Sequence, residues 1–503
     1  MRLPPAPTLD DAPPRPATAP ARRSAPGSPG VRTPRVRLPA ASAVAGGAFV
    51  LWGLAVGLGP IHDNSFLTEL ATGHLVLAHG VPRADPFTFT AAGRPWVVES
   101  WLASVLYALV DDVAGGHGLV LLHGALCAAL GALGWRLTRP ARHLPGRLLS
   151  AAALCAVGTG YWSPRPLLVA LVCFAAVAVQ AETGRGSPWW AVPVLWCWVN
   201  VHGSWPLALV YLGLRWAGAA IEGGDTRRRR ALFGAAALGA AAGAANPLGP
   251  GLLLYPLAVV RHHQAFATVA EWQAPNFGDP VNAAFGVAAV LALALVALQR
   301  RRRPGWAQDA LVAVVFTGGA LVAARNVAVA ALVLTPVLAR GLEGLGTVTG
   351  GRRGVVAAGA LVVLGVVGGG LVAGALDRPA YDLSAYPVGE VTWMARHHLL
   401  PGRVATPDYV GNYLELRYGT GARAFFDDRV DVFSLAVVHD YDRLLLGRPG
   451  WAGILRRLDV HAVLWPRSDP LARDLARDPA WRVRLADRGW IVAVRAGAPS
   501  AAT

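Results

Sequence analysis

Residues 62–101 read HDNSFLTELATGHLVLAHGVPRADPFTFTAAGRPWVVESW and directly follow the first apolar segment of the chain. No other stretch between that segment and residue 376 is so dense in polar residues. Its carboxylates and histidines are Asp63, Glu69, Asp85, Glu99, His62, His74 and His79. A connection between two membrane helices does not need so many ionisable groups. If the chain has an active site, we expect it here.

The composition indicates a membrane protein. The 503 residues are 54% hydrophobic and 15% charged, with a mean hydropathy of +0.42, whereas soluble domains have about 25% charged residues. A net charge of +16 would suit a nucleic-acid partner. The arginines, however, lie in short blocks between apolar segments, as orientation signals do, so we expect no nucleic-acid partner. The four cysteines lack the paired spacing of a zinc or redox site.

Apolar segments long enough to cross ~30 Å of hydrocarbon recur up to residue 376. They predict about eleven spans, at 39–60, 117–135, 148–163, 166–182, 188–202, 204–221, 231–246, 282–299, 306–324, 326–340 and 354–376. If the N-terminus is inside, strict alternation places 23 arginines of this region inside and five outside. The arginine distribution therefore predicts a cytoplasmic N-terminus and an extracytoplasmic C-terminus.

The chain divides by composition into three parts. Residues 1–38 are rich in Pro, Ala and Arg and predict a disordered cytoplasmic arm. Residues 39–376 form the transmembrane domain, with an outer loop at 61–116 and a re-entrant region at 246–281. Residues 377–503, with 17 arginines and 15 acidic residues, are expected to form a small extracytoplasmic α/β domain.

Local patterns predict elements in the two outer regions. In the loop they give a helix at 65–79 that Asn64 or Ser65 caps and Gly80 ends, a turn at Asp85-Pro86, a short strand at 87–90 and a short helix at 101–110. In the C-terminal part they give strands at 423–426, 462–465 and 490–495. Helices are expected at 388–400, 432–446 and 471–477.

Three carboxylates of the loop are candidates for chemistry. Asp63, beside His62 where the first span ends, could act as a general base towards an acceptor hydroxyl or ligate a divalent metal. Its alternative roles are a helix cap or a partner for a nearby arginine. Asp85 precedes a proline and could instead form an Asx turn. Glu99 could instead be a first-turn charge of the helix that follows it.

Further candidates lie at the predicted outer ends of spans. His202, Arg325 and Arg165 are ionisable groups at the border of membrane helices, where such groups are functional candidates. An arginine there could bind a lipid phosphate through two hydrogen bonds. The alternative for each is a side chain that extends to the interface.

Segment 62–101 resembles the first outer loop of uncharacterised bacterial polytopic membrane proteins related to the C-type (GT-C fold) membrane glycosyltransferases. The resemblance continues in chain order at 200–203, Asn246-Pro247, Tyr255-Pro256, Glu271-Trp272, Arg325-Asn326, Asn412-Tyr413 and 426–431. It implies a GT-C-like helical bundle and transfer of a hexose or pentose from a lipid-linked donor, a polyprenyl phosphate sugar, to an outer-face glycan, lipid or protein. It also implies acids in the first outer loop, where Asp63 matches by position, and a divalent cation, Mg or Mn, as cofactor.

The predicted site therefore has Asp63 and Asp85 as catalytic residues. The expected substrate-binding residues are His62, Glu99, Arg165, His202, Glu271 and Arg325. A transferase of the bacterial cytoplasmic membrane should have a cavity above the membrane that opens sideways to lipid and is lined by Asp63, Asp85, His202 and Arg325. In a non-catalytic partner of envelope polysaccharide assembly, they should pair with one another and leave no cavity. A transporter is less favoured, because the span centres hold almost no carboxylates.

Overall fold

The computed structural model describes residues 41–261, 263–266, 269–299, 303–344, 354–487 and 489–496. The predicted arm at 1–38 lies outside these residues. The described residues all belong to one compact unit. Its helices as far as residue 376 are α1 (Ala41–Gly57), α2 (Asn64–His79), α3 (Trp101–Leu137), α4 (Leu144–Gly158), α5 (Pro166–Thr183), α6 (Ala191–Val201), α7 (Pro206–Ile221), α8 (Arg227–Ala242), α9 (Gly251–Arg261), α10 (Pro280–Leu298), α11 (Trp306–Val322), α12 (Val327–Gly341) and α13 (Gly354–Leu376).

Each of the eleven predicted spans coincides with a helix, but not all of these helices are long. By length and composition, five helices of the described residues can cross a membrane. They are Trp101–Leu137, Pro166–Thr183, Pro280–Leu298, Ala324–Gly341 and Val356–Leu376. Shorter apolar helices include α1, α4, α7, α9 and α11. The structure thus supports a polytopic helical membrane protein, while the number of spans stays a prediction.

The outer loop differs from its predicted elements in three places. The helix after residue 64 is confirmed as α2, with Asp63 rather than Asn64 or Ser65 in the N-cap position and Gly80, at φ 80°, as the C-cap. The strand predicted at 87–90 is wrong, because only Thr88 forms a bridge, with Ala424. The short helix predicted at 101–110 continues into the next span as α3, with a kink at Gly115, whose φ of 60° suits glycine.

The C-terminal part combines short helices with a small sheet. Its elements are α14 (Val388–Arg396), β1 (Val404–Ala405), α15 (Asp408–Tyr418), α16 (Leu435–Leu445), α17 (Trp451–Arg457), β2 (Ala462–Pro466), α18 (Pro470–Arg477), β3 (Trp481–Ala486) and β4 (Trp490–Arg495). The strand order is β1-β2-β4-β3, with β1 parallel to β2 and the other pairs antiparallel. The predicted strand at 423–426 is wrong, because this segment contributes only bridges at Ala424.

The outer loop and the C-terminal part share a hydrophobic core. Phe87, Trp96 and Val98 of the loop are buried in one cluster with Phe425 and Phe426. α2 also packs against α15. Burial of large aromatic side chains contributes roughly 25 cal/mol per Å² of apolar surface. This shared core fixes the C-terminal segment 426–431 against the start of α2, where the candidate site lies.

Candidate active site

A cavity of about 440 Å³ lies where α2, the loop before α3, and the ends of α5, α6, α7 and α9 meet segment 426–431. Five of the eight predicted site residues line it: Glu99, Arg165, His202, Glu271 and Arg325. They come from five separate stretches of the chain, and the predicted topology placed all five on the outer side. Of the four residues expected to line a transferase cavity, His202 and Arg325 do so, whereas Asp63 and Asp85 do not.

The cavity lining is rich in charge. In the described part of the chain, five carboxylates and three arginines contribute to it: Glu69, Glu99, Glu271, Asp428, Asp431, Arg165, Arg325 and Arg429. Of these, Glu69, Asp428, Arg429 and Asp431 were not among the eight predicted site residues. Asp428 and Asp431 belong to the FDDRVD stretch after an apolar run, a position where loop carboxylates often face a ligand.

Asp63 lies behind the cavity wall, paired with Arg165. The Arg165 Nε donates to both carboxylate oxygens of Asp63, at 2.7 and 2.9 Å, and its Nη1 lies 3.5 Å from Glu271 Oε2. Arg165 is the N-cap residue of α5, fixed there by the following Pro166. Asp63 therefore orients the guanidinium that faces the cavity. His62 is exposed, and its Nδ1 lies 3.3 Å from the Pro60 carbonyl oxygen, away from the lining.

Asp85 lies outside the cavity, in a buried ion cluster. Its side chain accepts hydrogen bonds from the backbone N–H groups of Phe87 and Thr88, as in an Asx turn, and lies 2.8 Å from Arg429 Nη2. Arg429 also contacts Asp427 and Glu415, whose side chains are fully buried. Burial and the neighbouring Asp427 raise the pKa of Glu415 well above its usual value. We therefore leave Asp85 out of the proposed catalytic residues.

Arg325 is the cavity arginine without a carboxylate partner. Its guanidinium carbon lies 4.2 Å above the Trp272 ring, in a cation–π contact. No carboxylate of the described residues lies within ion-pair distance of it. Among the described residues the Arg325 guanidinium therefore has no counter-charge, which suits it to an anionic ligand.

His202 contributes a donor to the same region. The backbone N–H of Ser204 donates to His202 Nδ1 at 3.1 Å. A neutral ring whose Nδ1 accepts must have its proton on Nε2. His202 ends α6 in an extended conformation, which places its ring in the cavity lining.

The carboxylates of the cavity differ in their protonation. Burial raises the pKa of Glu99 to about 8. The hydrogen bond that its carboxylate accepts from the Gly203 N–H acts in the opposite direction and lowers the pKa. Burial also raises the pKa of Asp428 to about 7, with a further contribution from Asp408. Glu99 is thus mostly neutral at pH 7, while Asp428 is about half ionised.

Asp428 is held firmly although it is a loop residue. Asn64 Nδ2 donates to its Oδ2 at 2.9 Å, and the Ser65 hydroxyl donates to the same oxygen. Its backbone N–H donates to Asn412 Oδ1 at 3.2 Å. The first turn of α2 therefore fixes a carboxylate from a segment more than 360 residues later.

The other side of the cavity is apolar. It is lined by Leu167, Pro206, Leu207, Pro256, Val259, Val260 and Phe266. The Val260 side chain is 66% exposed, so the cavity reaches the protein surface there. Leu254 and Leu257 of the same helix, α9, are also exposed. An apolar ligand chain could therefore pass from the cavity onto the face of α9.

The side chains that line the cavity do not provide the set of ligands that a resident divalent cation would need. Within the described residues, no three His, Cys, Asp or Glu side chains lie close enough together to bind a metal ion. Two of the cavity carboxylates already accept hydrogen bonds, Asp428 from Asn64 and Ser65 and Glu99 from the Gly203 N–H. We therefore derive no step through a metal, and the cation stays a prediction.

No protein-family model matches the chain, and no curated protein sequence matches it. Among solved structures, the chain is similar to the archaeal oligosaccharyltransferase AglB from Archaeoglobus fulgidus, in complex with an inhibitory peptide and a dolichol-phosphate. The TM-score is 0.50 at 11% sequence identity, over 84% of this chain and 69% of that chain. The similarity shows the fold. The chain therefore shares its overall fold with that oligosaccharyltransferase, and the shared fold supports the helical-bundle architecture that the resemblance of segment 62–101 implied.

Proposed function

We propose that this protein is a membrane glycosyltransferase that moves a sugar from a polyprenyl phosphate carrier to an acceptor on the outer face of the membrane. The observation that supports it best is one cavity with an unpaired arginine, a carboxylate whose pKa lies near 7, and an apolar side that reaches the surface. Phosphate, acceptor hydroxyl and isoprenoid chain each find a matching surface there.

The donor phosphate is assigned to Arg325 and Arg165. Arg325 has no carboxylate partner among the described residues, and Arg165 contacts Asp63 through Nε and lies 3.5 Å from Glu271 Oε2 through Nη1. The His202 Nε2 supplies a further donor. Glu99, neutral at pH 7, can donate a hydrogen bond to a phosphate oxygen without repelling it. The isoprenoid chain would lie along α9.

Asp428 is assigned the role of general base. A base works best when its pKa is near the operating pH, and Asp428 lines the cavity whereas Asp63 does not. It takes the proton of the acceptor hydroxyl, whose oxygen attacks the anomeric carbon of the donor sugar. The bond from that carbon to the phosphate oxygen breaks, and the polyprenyl phosphate leaves with the electron pair. Arg325 and Arg165 stabilise the charge on the leaving phosphate.

The remaining parts of the proposal come from the sequence. The arginine distribution favours a cytoplasmic N-terminus, so the cavity faces the extracytoplasmic side of a membrane that we take to be the bacterial cytoplasmic membrane. The acceptor is a glycan, lipid or protein of that side.

A non-catalytic partner in envelope polysaccharide assembly is the second candidate. It is favoured by one observation, the pairing of Asp63 with Arg165 and of Asp85 with Arg429. Such a protein would bind the lipid-linked sugar without turnover.

Turnover by the purified protein in lipid nanodiscs separates the two. The assay supplies polyprenyl phosphate sugars of several kinds, with Mg²⁺, Mn²⁺ or a chelator, and compares the wild type with Asp428→Asn and Arg325→Gln. Sugar release or transfer by the wild type alone supports the transferase. Tight binding of donor with no release under any condition would support the assembly partner instead. Activity that needs an added cation would show that substrate groups complete a metal site.

A further inference from the structure

A second cavity, of about 160 Å³, lies between the far ends of α5, α7 and α8. α5 has 18 residues and is therefore about 27 Å long. Arg165 precedes its first residue at the candidate active site, and this second cavity lies at its last turn. The lining residues are Gln180, Ala181, Glu182, Thr183, Gly184, Leu212, Arg215, Arg228, Arg229 and Leu232.

Positive charge exceeds negative charge around this cavity. Glu182 and Asp309 are buried, and three arginines share them. Arg215 contacts Glu182 at 3.0 Å and Asp309 at 2.9 Å, Arg303 contacts Asp309 at 2.8 Å, and Arg340 contacts both acids. One positive charge of this buried cluster therefore has no counter-charge within it.

Arg228 and Arg229 increase the excess. In the described part of the chain, neither has a carboxylate within ion-pair distance, and Arg228 donates to the Gly186 carbonyl oxygen at 2.7 Å. The nearby Glu222 accepts hydrogen bonds from the Gly305 and Ala307 N–H groups instead. Arginines in the first turn of a helix are also opposed by its positive N-terminal dipole. An anion in the cavity would offset both the excess of positive charge and the unfavourable interaction of these arginines with the helix dipole.

Several buried polar atoms of the lining have no hydrogen-bond partner among the described residues. They include Nε of Arg215, a residue that is only 5% exposed, Nε of Arg229 and Oε1 of Gln180. The Gln180 Nε2 donates to the Ser187 carbonyl oxygen at 2.7 Å, which fixes the other amide atom as an acceptor. Leaving a buried polar atom without a hydrogen-bond partner is unfavourable. The cavity thus offers arginine donors for an anion beside one acceptor.

We propose that this cavity binds a phosphate ester whose alcohol part bears a hydroxyl or ammonium donor. The arginines bind the phosphate oxygens, and Gln180 Oε1 accepts from the donor group. A liquid water takes about 30 Å³, so 160 Å³ accommodates a phosphate and a small alcohol. This face has the arginine blocks that the topology places in the cytoplasm, where basic pockets between membrane helices bind lipid head groups. The same chemistry is offered by a phospholipid head group and by a free phosphate ester.

The test is calorimetric titration of the full-length protein in neutral detergent. The probes are glycerol 1-phosphate, dihexanoylphosphatidylglycerol and dihexanoylphosphatidylcholine, whose choline has no hydrogen-bond donor. The double variant Arg228→Gln/Arg229→Gln removes two lining arginines. The matched control Arg227→Gln/Arg230→Gln removes two exposed arginines of the same block that do not line the cavity.

We expect phosphatidylglycerol to bind the wild type more tightly than phosphatidylcholine. The lining variant should lose about tenfold or more in affinity, as expected for one lost charge-assisted contact, while the control changes less than about twofold. Binding of glycerol 1-phosphate with similar affinity would identify a free ester as ligand, and binding of the lipid alone would identify a head group. Equal losses in both double variants, or no binding of either glycerol-bearing probe, would overturn the proposal.

Discussion

Replacing Asp428 by Asn tests the assignment of the general base most directly. The substitution keeps the shape of the side chain and an oxygen that can accept from Asn64 and Ser65. It removes the ability to take a proton. A positioned general base contributes roughly 10²- to 10⁴-fold to rate, so kcat should fall by this factor while donor binding changes little.

The pH dependence of kcat/KM is a second, independent test of Asp428 as the general base. With a pKa of about 7, the wild-type kcat/KM should rise about tenfold per pH unit below pH 7 and level off above it. The variant should lack this rise.

The protonation of Asp428 also affects the stability of the folded protein. An unfolded aspartate ionises near pH 3.9, so the folded state binds the extra proton between that pH and about 7, and wild-type stability falls as the pH rises through this window. The Asn variant, which has no charge to bury, should therefore gain thermal stability relative to the wild type above pH 7.

The assay measures sugar transfer by the nanodisc-reconstituted protein between pH 5 and 9, with tryptophan-fluorescence melting over the same range. Asp431→Asn serves as the matched control, since Asp431 also lines the cavity but accepts from Tyr255 at 3.3 Å. An Asp428→Asn variant that keeps wild-type rate, or one that keeps the rise towards pH 7, would refute the assignment. Loss of activity in the Asp431 variant alone would place the base at that residue instead.

Three further outcomes are expected. Arg325→Gln should raise the KM for the lipid donor about tenfold or more, the loss of one charge-assisted contact, with Arg325→Lys recovering part of it; an unchanged KM would remove the guanidinium from the phosphate site. Asp63→Asn should leave the protein folded and impair transfer by freeing Arg165 from its orientation, which a shifted donor KM would register; wild-type kinetics would contradict this. Arg429→Met should lower the free energy of unfolding by about 3–5 kcal/mol, because it leaves buried carboxylates without their counter-charge, and denaturant melts of the variant against the wild type measure this.

The apolar segments and arginine blocks were sufficient to predict much of the architecture. A helix was expected and found at each predicted span, because the apolar run that a membrane helix requires is a local property of the chain. The topology also placed Arg165, His202, Glu271 and Arg325 on one side, and the structure brings all four to one cavity. A local pattern does not predict a strand correctly where pairing with a distant segment decides whether the strand forms. The segment at 87–90 alternates like a strand but finds only one bridge.

The identity of the base could not be predicted in this way. In the sequence, Asp63 and Asp85 are equally prominent acids of the loop, and Asp428 is one of two adjacent acids in a later turn. Only the packing decides that Arg165 neutralises Asp63, that Arg429 and an Asx turn occupy Asp85, and that Asp428 enters the cavity.

The sequence by itself therefore determined that this is a helical membrane protein and where its polar groups concentrate, and it predicted which residues share the outer side. These properties depend on hydrophobicity and charge summed over short windows. The tertiary structure alone decided which charges pair, which stay free and which carboxylate has a pKa near 7. Those outcomes depend on burial and on contacts between residues such as Ser65 and Asp428, hundreds of positions apart, and neither can be read from neighbouring residues.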